Sequence, residues 1–181
     1  MYKGEFHMDL LQEYKDLYYR EIEFKDSMNT KIGTSITFLT VLCTGHMFIW
    51  DIMVDLNYIL HIVPILFLST EALSVIYTVF SLYNFYKTYF KYEYHLVSAE
   101  KIEKAIAKNN SLSAHYSSKE IADANYCMMC QTFYDCTVHN RNENLRKNGH
   151  HIKLSSSLVK AIITLIITYT IWIFLINPFT F

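Results

Sequence analysis

Three stretches of this chain are almost free of charged side chains. Residues 32–50 contain no Asp, Glu, Lys or Arg. As an α-helix they are about 28 Å long, close to the roughly 30 Å hydrocarbon core of a bilayer. Residues 56–86 contain a single acid, Glu71, and residues 161–181 contain no charged residue. The pattern predicts three transmembrane helices, over about 32–50, 60–80 and 161–181.

The basic residues predict how these helices are oriented. Residues 1–31 hold five of the 16 Lys and Arg, residues 87–160 hold the others, and residues 51–57 hold none. Because cytoplasmic loops of membrane proteins are enriched in Lys and Arg, we expect the N-terminus inside and the C-terminus outside. The predicted organisation is a cytosolic amphipathic N-terminal helix (1–31), a transmembrane hairpin (32–86), a cytosolic helical stalk (87–160) and a third transmembrane helix (161–181).

The charged regions also have a helical pattern. Leu10, Tyr14, Leu17, Phe24 and Met28 recur at helical spacing, which predicts an amphipathic helix that leads into the first span. No segment alternates between apolar and polar residues as a strand does, and the chain has only 4 Gly and 2 Pro. The predicted fold class is an all-α membrane protein with three transmembrane helices and long helical cytosolic extensions.

Local motifs predict where the helices of the stalk begin and end. Residues Lys87–Lys108 are rich in helix-forming residues, and Asn109–Ser111 is expected to end that helix. Ser117 and Glu120 have the spacing of a capping box, which marks the start of the next helix. Asn148–Gly149 is a typical helix stop. A helix of about 30 residues is therefore expected between these two motifs.

Glu71 is the most informative residue for function. A carboxylate within a membrane span is expensive and normally faces a bundle interior or a water-filled cavity. In an antiparallel hairpin it lies level with about Thr37 and Thr40, and two interpretations stay open: a pore or ion pathway, or interhelical hydrogen bonding alone. His46 is expected to be a satisfied interhelical residue. The candidate pore-lining residues are Thr37 and Thr40 of the first span together with Glu71, Ser74, Thr78 and Ser81, which lie on one face of the second span.

Basic residues are concentrated before the third span. They fit an orientation anchor at an anionic leaflet, or else contacts to an anionic nucleotide or lipid headgroup. The candidate contact residues are Arg141, Arg146, Lys147, His151 and Lys153.

Cys127, Cys130, Cys136 and His139 have the side-chain types that bind zinc. On one continuous helix they point in different directions around the axis, so they are only weak metal candidates. The alternative is that the cysteines are small buried hydrophobic residues. No metal and no cofactor is predicted.

The remaining composition argues against catalysis and nucleic-acid binding. We find no paired-carboxylate site, no Ser/His/Asp arrangement, no HExxH motif and no Walker-type loop. The 16 Lys and Arg are balanced by 17 Asp and Glu, which gives a formal net charge of -1. Neither an enzyme nor a nucleic-acid-binding protein is expected.

The layout resembles a family of small membrane proteins. Phe24–Asp26 and Asn29–Gly33 enter the first span, and the helix Asn125–Lys147 precedes the third. In these features the chain resembles the small transmembrane effectors of bacterial antiphage nucleotide-signalling systems, namely the Pycsar transmembrane effector domain and the SLATT effectors. The resemblance implies a protein that, once triggered, oligomerises or rearranges and compromises the inner membrane.

Two functions follow as hypotheses. The first is a homo-oligomeric effector of antiphage defence in the bacterial inner membrane, which forms or gates a membrane-disrupting pore. The second is a non-conducting membrane sensor or scaffold that recruits a cytosolic partner protein. The expected partners are the lipid bilayer, further copies of the chain, and a cytosolic protein or a signalling nucleotide.

Overall fold

The computed structural model describes residues 3–55 and 62–176, and this part of the chain is almost entirely helical without a strand. The all-α fold class is therefore confirmed. A short π-helical segment, Trp172–Ile176, follows the last α-helix. The α-helices are α1 (Lys3–Asp55), α2 (Ile62–Phe90), α3 (Ala99–Asn110) and α4 (Ser118–Ile171).

Three of these helices are long and apolar enough to cross a membrane. The segments that meet this requirement lie within Leu10–Asp51, Ile65–Phe90 and Ser118–Phe174. The three predicted spans are confirmed as helices of sufficient length and hydrophobicity. Two parts of the prediction lie outside the described residues. The first is residues 56–61, which include the start of the second predicted span, and the second is residues 177–181, at the end of the third.

The chain divides into two compact units. The first, here called the polar unit, contains Met1–Ser27 and Tyr92–Arg146. The second, here called the membrane unit, contains Met28–Lys91 and Lys147–Phe181. Helices α1 and α4 each contribute residues to both units. Of the predicted stalk, residues 87–91 and 147–160 belong to the membrane unit and the rest to the polar unit.

In the membrane unit, α1, α2 and α4 pack around an apolar core. Its fully or nearly fully buried residues are Leu39, Leu42, Leu154, Leu158 and Ala161. Gly45 of α1 leaves room for the Leu165 side chain of α4, because a Cβ atom built there lies 2.8 Å from Cδ2 of Leu165. Small residues at helix contacts are typical of helix packing in membranes.

In the polar unit, α1 packs against α4 through aromatic side chains. The rings of Tyr18 and Phe133 meet edge to face, with 5.6 Å between their centroids, and Cys136 completes this small core. The predicted apolar face of α1 is wrong at Phe24, which is exposed. The partly buried residues around this core are Leu11, Tyr14, Ile22 and Val97.

The two start and stop motifs around residues 109–120 are confirmed. Helix α3 ends at Asn110, and α4 begins at Ser118. The Ser117 backbone N–H and hydroxyl both donate to Oε2 of Glu120, at 2.8 Å each, and the Glu120 N–H donates back to the Ser117 hydroxyl at 3.3 Å. These hydrogen bonds from Ser117 lower the pKa of the Glu120 carboxyl, as expected for a capping box.

The predicted stop at Asn148–Gly149 is wrong, because α4 continues through it to Ile171. Gly149 has no positive φ angle, so it does not adopt the left-handed conformation of a helix C-cap. A glycine inside a helix costs only about 1 kcal/mol, which packing on both sides can offset. Buried residues flank it, with Lys147 before it and Leu154 after it.

The predicted continuous helix over Lys87–Lys108 is also wrong. Helix α2 ends at Phe90, residues 92–98 are not helical, and α3 begins at Ala99. Ser98 is the N-cap of α3, and its hydroxyl accepts a hydrogen bond from the Lys101 backbone N–H. The local helix preference of this region is overcome by side chains of α4.

Two asparagines of α4 hold the non-helical segment, and we call them the asparagine clamp. The Asn140 side chain accepts from the His95 backbone N–H at 2.9 Å and donates to the His95 carbonyl at 3.0 Å. The Tyr94 hydroxyl donates to Oδ1 of Asn144 at 2.8 Å, while Nδ2 of Asn144 donates to the Glu21 carbonyl of α1 at 2.8 Å. The clamp therefore satisfies backbone groups that a helix would otherwise satisfy.

Aromatic groups complete the clamp. The imidazole of His139 stacks on that of His95, with 3.6 Å between the ring centroids, and its Nε2 bonds the Glu93 carbonyl. Burial, followed by the nearby Glu143 carboxylate, raises the pKa of Tyr94 to about 12. The Tyr94 hydroxyl therefore remains a neutral hydrogen-bond donor throughout the physiological pH range.

We predict that Asn140→Ala releases the segment 92–98. The substitution removes both hydrogen bonds to His95, at a cost of about 1–3 kcal/mol if its backbone groups stay buried. Amide hydrogen exchange of peptides covering the segment should become clearly faster in detergent-solubilised protein. Asn142→Ala is the matched control, since Asn142 lies on the same helix but is exposed. Equal exchange rates in both variants would contradict the clamp.

Candidate functional site: a buried polar stripe in the membrane unit

The polar residues predicted on one face of α2 are all buried. Relative exposure is 8% for Glu71, 4% for Thr78 and 0% for Ser74 and Ser81. Two further buried residues, Asn84 and Thr88, continue the same spacing towards the end of α2. We call this set the polar stripe, and it consists of Glu71, Ser74, Thr78, Ser81, Asn84 and Thr88.

The partner of Glu71 is His46 of α1. Oε1 of Glu71 lies 2.6 Å from Nδ1 of His46, and Nε2 of His46 lies 2.9 Å from the Thr78 hydroxyl. We expected Thr37 and Thr40 to lie level with Glu71, and this prediction is wrong. Both threonines are exposed, and it is His46 of α1 that contacts Glu71. His46 itself is the interhelical residue that the sequence predicted.

The hydrogen bonds among His46, Glu71 and Thr78 limit where their protons can lie. The single hydroxyl proton of Thr78 is donated to the Ser74 carbonyl at 3.0 Å. The Thr78 oxygen must therefore accept from His46, so Nε2 of His46 carries a proton. One further proton lies between His46 and Glu71, either on Nδ1, giving an ion pair, or on the carboxyl group, giving a neutral pair. Both arrangements have zero net charge.

The second carboxylate oxygen of Glu71, Oε2, is buried and lacks a hydrogen-bond partner among the described residues. A buried acceptor without a partner costs about 1–3 kcal/mol, and more if it is charged. Glu71 is thus a buried ionisable group that the packing of this conformation satisfies only on one side.

Helix α4 covers the rest of the stripe through hydroxyl groups. The Ser74 hydroxyl donates to the Ala161 carbonyl at 3.0 Å, and the Ser81 hydroxyl donates to that of Ser157 at 2.8 Å. Beyond the stripe, the Thr168 hydroxyl lies 3.0 Å from that of Thr70. Since residue numbers on α2 rise as those on α4 fall, the two helices run antiparallel.

The predicted basic contact residues are divided between the two units. Arg141 and Arg146 are exposed in the polar unit, where Arg146 is paired with Glu143 at 2.7 Å. In the membrane unit Lys147 is buried and its ammonium donates to Oδ1 of Asn29, whereas Lys153 is exposed. His151 is half-buried in the same unit.

The four weak metal candidates are not brought together. α4 is continuous through all of them, and within residues 3–55 and 62–176 no three His, Cys, Asp or Glu side chains lie where they could share a metal ion. Cys127 is exposed, whereas Cys130 and Cys136 are buried. Burial raises the pKa of the Cys136 thiol, so it packs as a neutral group.

Some residues of the site were not found by sequence reasoning. Asn84 and Thr88 follow Ser81 at the same three- and four-residue spacing, so extending the stripe by two turns would have included them. The pairing of His46 with Glu71 depends on the helix register, which the sequence pattern does not determine. The asparagine clamp depends on contacts between residues distant in sequence.

Comparison with protein-family models, with curated proteins and with solved structures finds no match to this chain. The helical fold and the three helices of membrane-spanning length define the class as a helical membrane protein, with a largely buried ionisable pair between two of its helices.

We predict that His46 and Glu71 are energetically coupled. Replacing either one with Leu leaves a buried polar partner unsatisfied and should destabilise the membrane unit by about 1–3 kcal/mol. The double variant should lose less than the sum of the two, with a coupling energy of about 0.5–3 kcal/mol, because both polar partners are then absent. Reversible unfolding in mixed detergent measures all four proteins. Strict additivity would contradict the pairing, and Thr170→Val is the control at an exposed hydroxyl of α4.

Proposed function

We propose that the protein is a homo-oligomeric membrane effector whose polar stripe becomes the hydrated lining of a conducting pathway when its helices rearrange. The observation that carries this proposal is the His46–Glu71 pair, buried in a helical bundle of membrane-spanning length. Ionisable residues in transmembrane segments are rare and typically mark ion or proton pathways.

The contacts that cover the stripe support a rearrangement. Ser74 and Ser81 are covered by a carbonyl and a hydroxyl of α4, and water can replace both partners. The unpartnered Oε2 of Glu71 gains hydration if the helices separate. Exposure to water therefore costs the stripe less than it would cost an apolar interface.

The proposal also requires oligomerisation. One three-helix unit is too small to enclose a water-filled channel, so further copies must supply the remaining wall. Thr37 and Thr40 lie exposed on α1, and small residues of this kind suit close packing between membrane helices. We place a second copy against this face.

The biological setting is proposed on the resemblance of residues 24–33 and 125–147 to antiphage effectors. In this setting the protein lies in the bacterial inner membrane with its N-terminus in the cytoplasm and its C-terminus outside. The polar unit then receives the activating input from a cytosolic partner or a signalling nucleotide. Because α1 and α4 belong to both units, that input acts on helices that also cover the stripe.

A non-conducting sensor or scaffold is the second candidate. The observation that favours it is the complete burial of Ser74 and Ser81 with hydrogen-bond partners inside one chain. In that case the stripe acts only as hydrogen-bonded packing, and the polar unit recruits a cytosolic protein.

We predict that expression of the full chain depolarises bacterial cells, as reported by a membrane-potential dye. Glu71→Gln keeps the size and most hydrogen bonding of the side chain but cannot ionise. It should therefore slow depolarisation several-fold while the oligomer still assembles. The matched control is Glu23→Gln, at an exposed position of α1. Wild-type silence at good expression favours the scaffold, and full activity of Glu71→Gln removes Glu71 from the pathway.

The orientation has its own test. Since all Lys and Arg lie in residues 1–31 and 87–160, a reporter that is active only outside the inner membrane should be active when fused after Phe181. The same reporter inserted at Ser113, in the connection between α3 and α4, should be inactive. The opposite pattern would overturn the proposed orientation.

A further inference from the structure

A groove between α1 and α4 of the membrane unit joins a polar end to an apolar end. Its volume is about 330 Å³. The polar end is lined by Lys31, His151 and Ser155, and the apolar end by Phe38, Leu158 and Ile162. From residue 31 to residue 38 of α1 the groove extends about 10 Å along the helix axis.

The polar end holds one cation, Lys31, beside the His151 imidazole and without a counter-ion. Among the described residues no carboxylate lines this groove, and neither Lys31 nor His151 forms an ion pair there. Burial, followed by the charge of Lys31, lowers the pKa of His151. At neutral pH His151 is therefore an uncharged hydrogen-bond donor beside the Lys31 ammonium, and an anion placed between the two side chains pairs with Lys31 and accepts a hydrogen bond from His151.

We propose that this groove binds one anionic phospholipid, with its phosphate between Lys31, His151 and the Ser155 hydroxyl and an acyl chain along Phe38, Leu158 and Ile162. The proposal rests on the membrane placement of α1 and α4, but it does not depend on conduction. It assigns Lys31, which is not among the contact residues predicted from the sequence, to a defined binding site.

The shape of the groove favours a lipid over a free phosphate or a nucleotide. Phe38 belongs to the uncharged stretch 32–50, and Ile162 belongs to the uncharged stretch 161–181. The apolar end therefore lies at the depth of lipid acyl chains, whereas Lys31 lies immediately before the first uncharged stretch. A water-soluble anion would leave this apolar end exposed.

The test is native mass spectrometry of the full chain in detergent, titrated with phosphatidylglycerol or phosphatidylcholine. We expect the first phosphatidylglycerol to bind about tenfold more tightly than phosphatidylcholine, because its phosphate lacks a compensating choline, pairs with Lys31 and accepts a hydrogen bond from His151. Lys31→Gln/His151→Gln should reduce this preference to about twofold or less. Equal affinity of the wild type for the two lipids would overturn the proposal.

Two controls identify the source of any change. His115→Gln/Lys119→Gln removes the same side-chain types from exposed positions of the polar unit and should keep the wild-type preference. Val159→Trp narrows the groove without changing charge and should weaken binding of the first lipid. The site is not a lipid site if inorganic phosphate at equal concentration displaces the lipid. The same conclusion follows if Lys31→Gln/His151→Gln keeps the full preference for phosphatidylglycerol over phosphatidylcholine.

Discussion

The cost of placing an ionisable pair inside a membrane-spanning bundle constrains the rest of this structure. Oε1 of Glu71 and Nδ1 of His46 lie 2.6 Å apart in an interior formed mainly by apolar and hydroxyl side chains. Neither could face lipid alone without a penalty of several kcal/mol. Their pairing fixes the register of α1 against α2, because Thr78 must lie where His46 can donate to it.

The same constraint explains the small polar residues on α4. A helix that covers a polar stripe must offer acceptors and hydroxyl groups rather than bulky apolar side chains. Ala161 and Ser157 do so, the first through its backbone carbonyl and the second through its hydroxyl. The interface is thus buried but polar, and it can exchange its partners for water more readily than a leucine interface can. This property connects the fold with the proposed conducting function.

The sequence predicted most of the helices and part of the site. Charge-free stretches predict membrane spans because the thickness of the bilayer sets their length. The capping box of Ser117 and Glu120 predicts the start of a helix because its hydrogen bonds are local. The non-helical segment 92–98 could not be predicted in this way, since Asn140 overrides local helix preference from a distance of 45 residues. Likewise, spacing showed that Glu71 must be buried, but only the packing shows that His46 is its partner.

Accessibility of the stripe to water is the most direct test of its proposed role. A Ser74→Cys variant, with the native cysteines replaced by Ala, can be treated with a small water-soluble thiol reagent in cells before and after depolarisation. Leu42→Cys, in the fully buried apolar core, is the protected reference. We expect the reagent to modify the Ser74→Cys protein only after depolarisation and the Leu42→Cys protein in neither state. Protection of both proteins in depolarised cells would contradict a hydrated stripe.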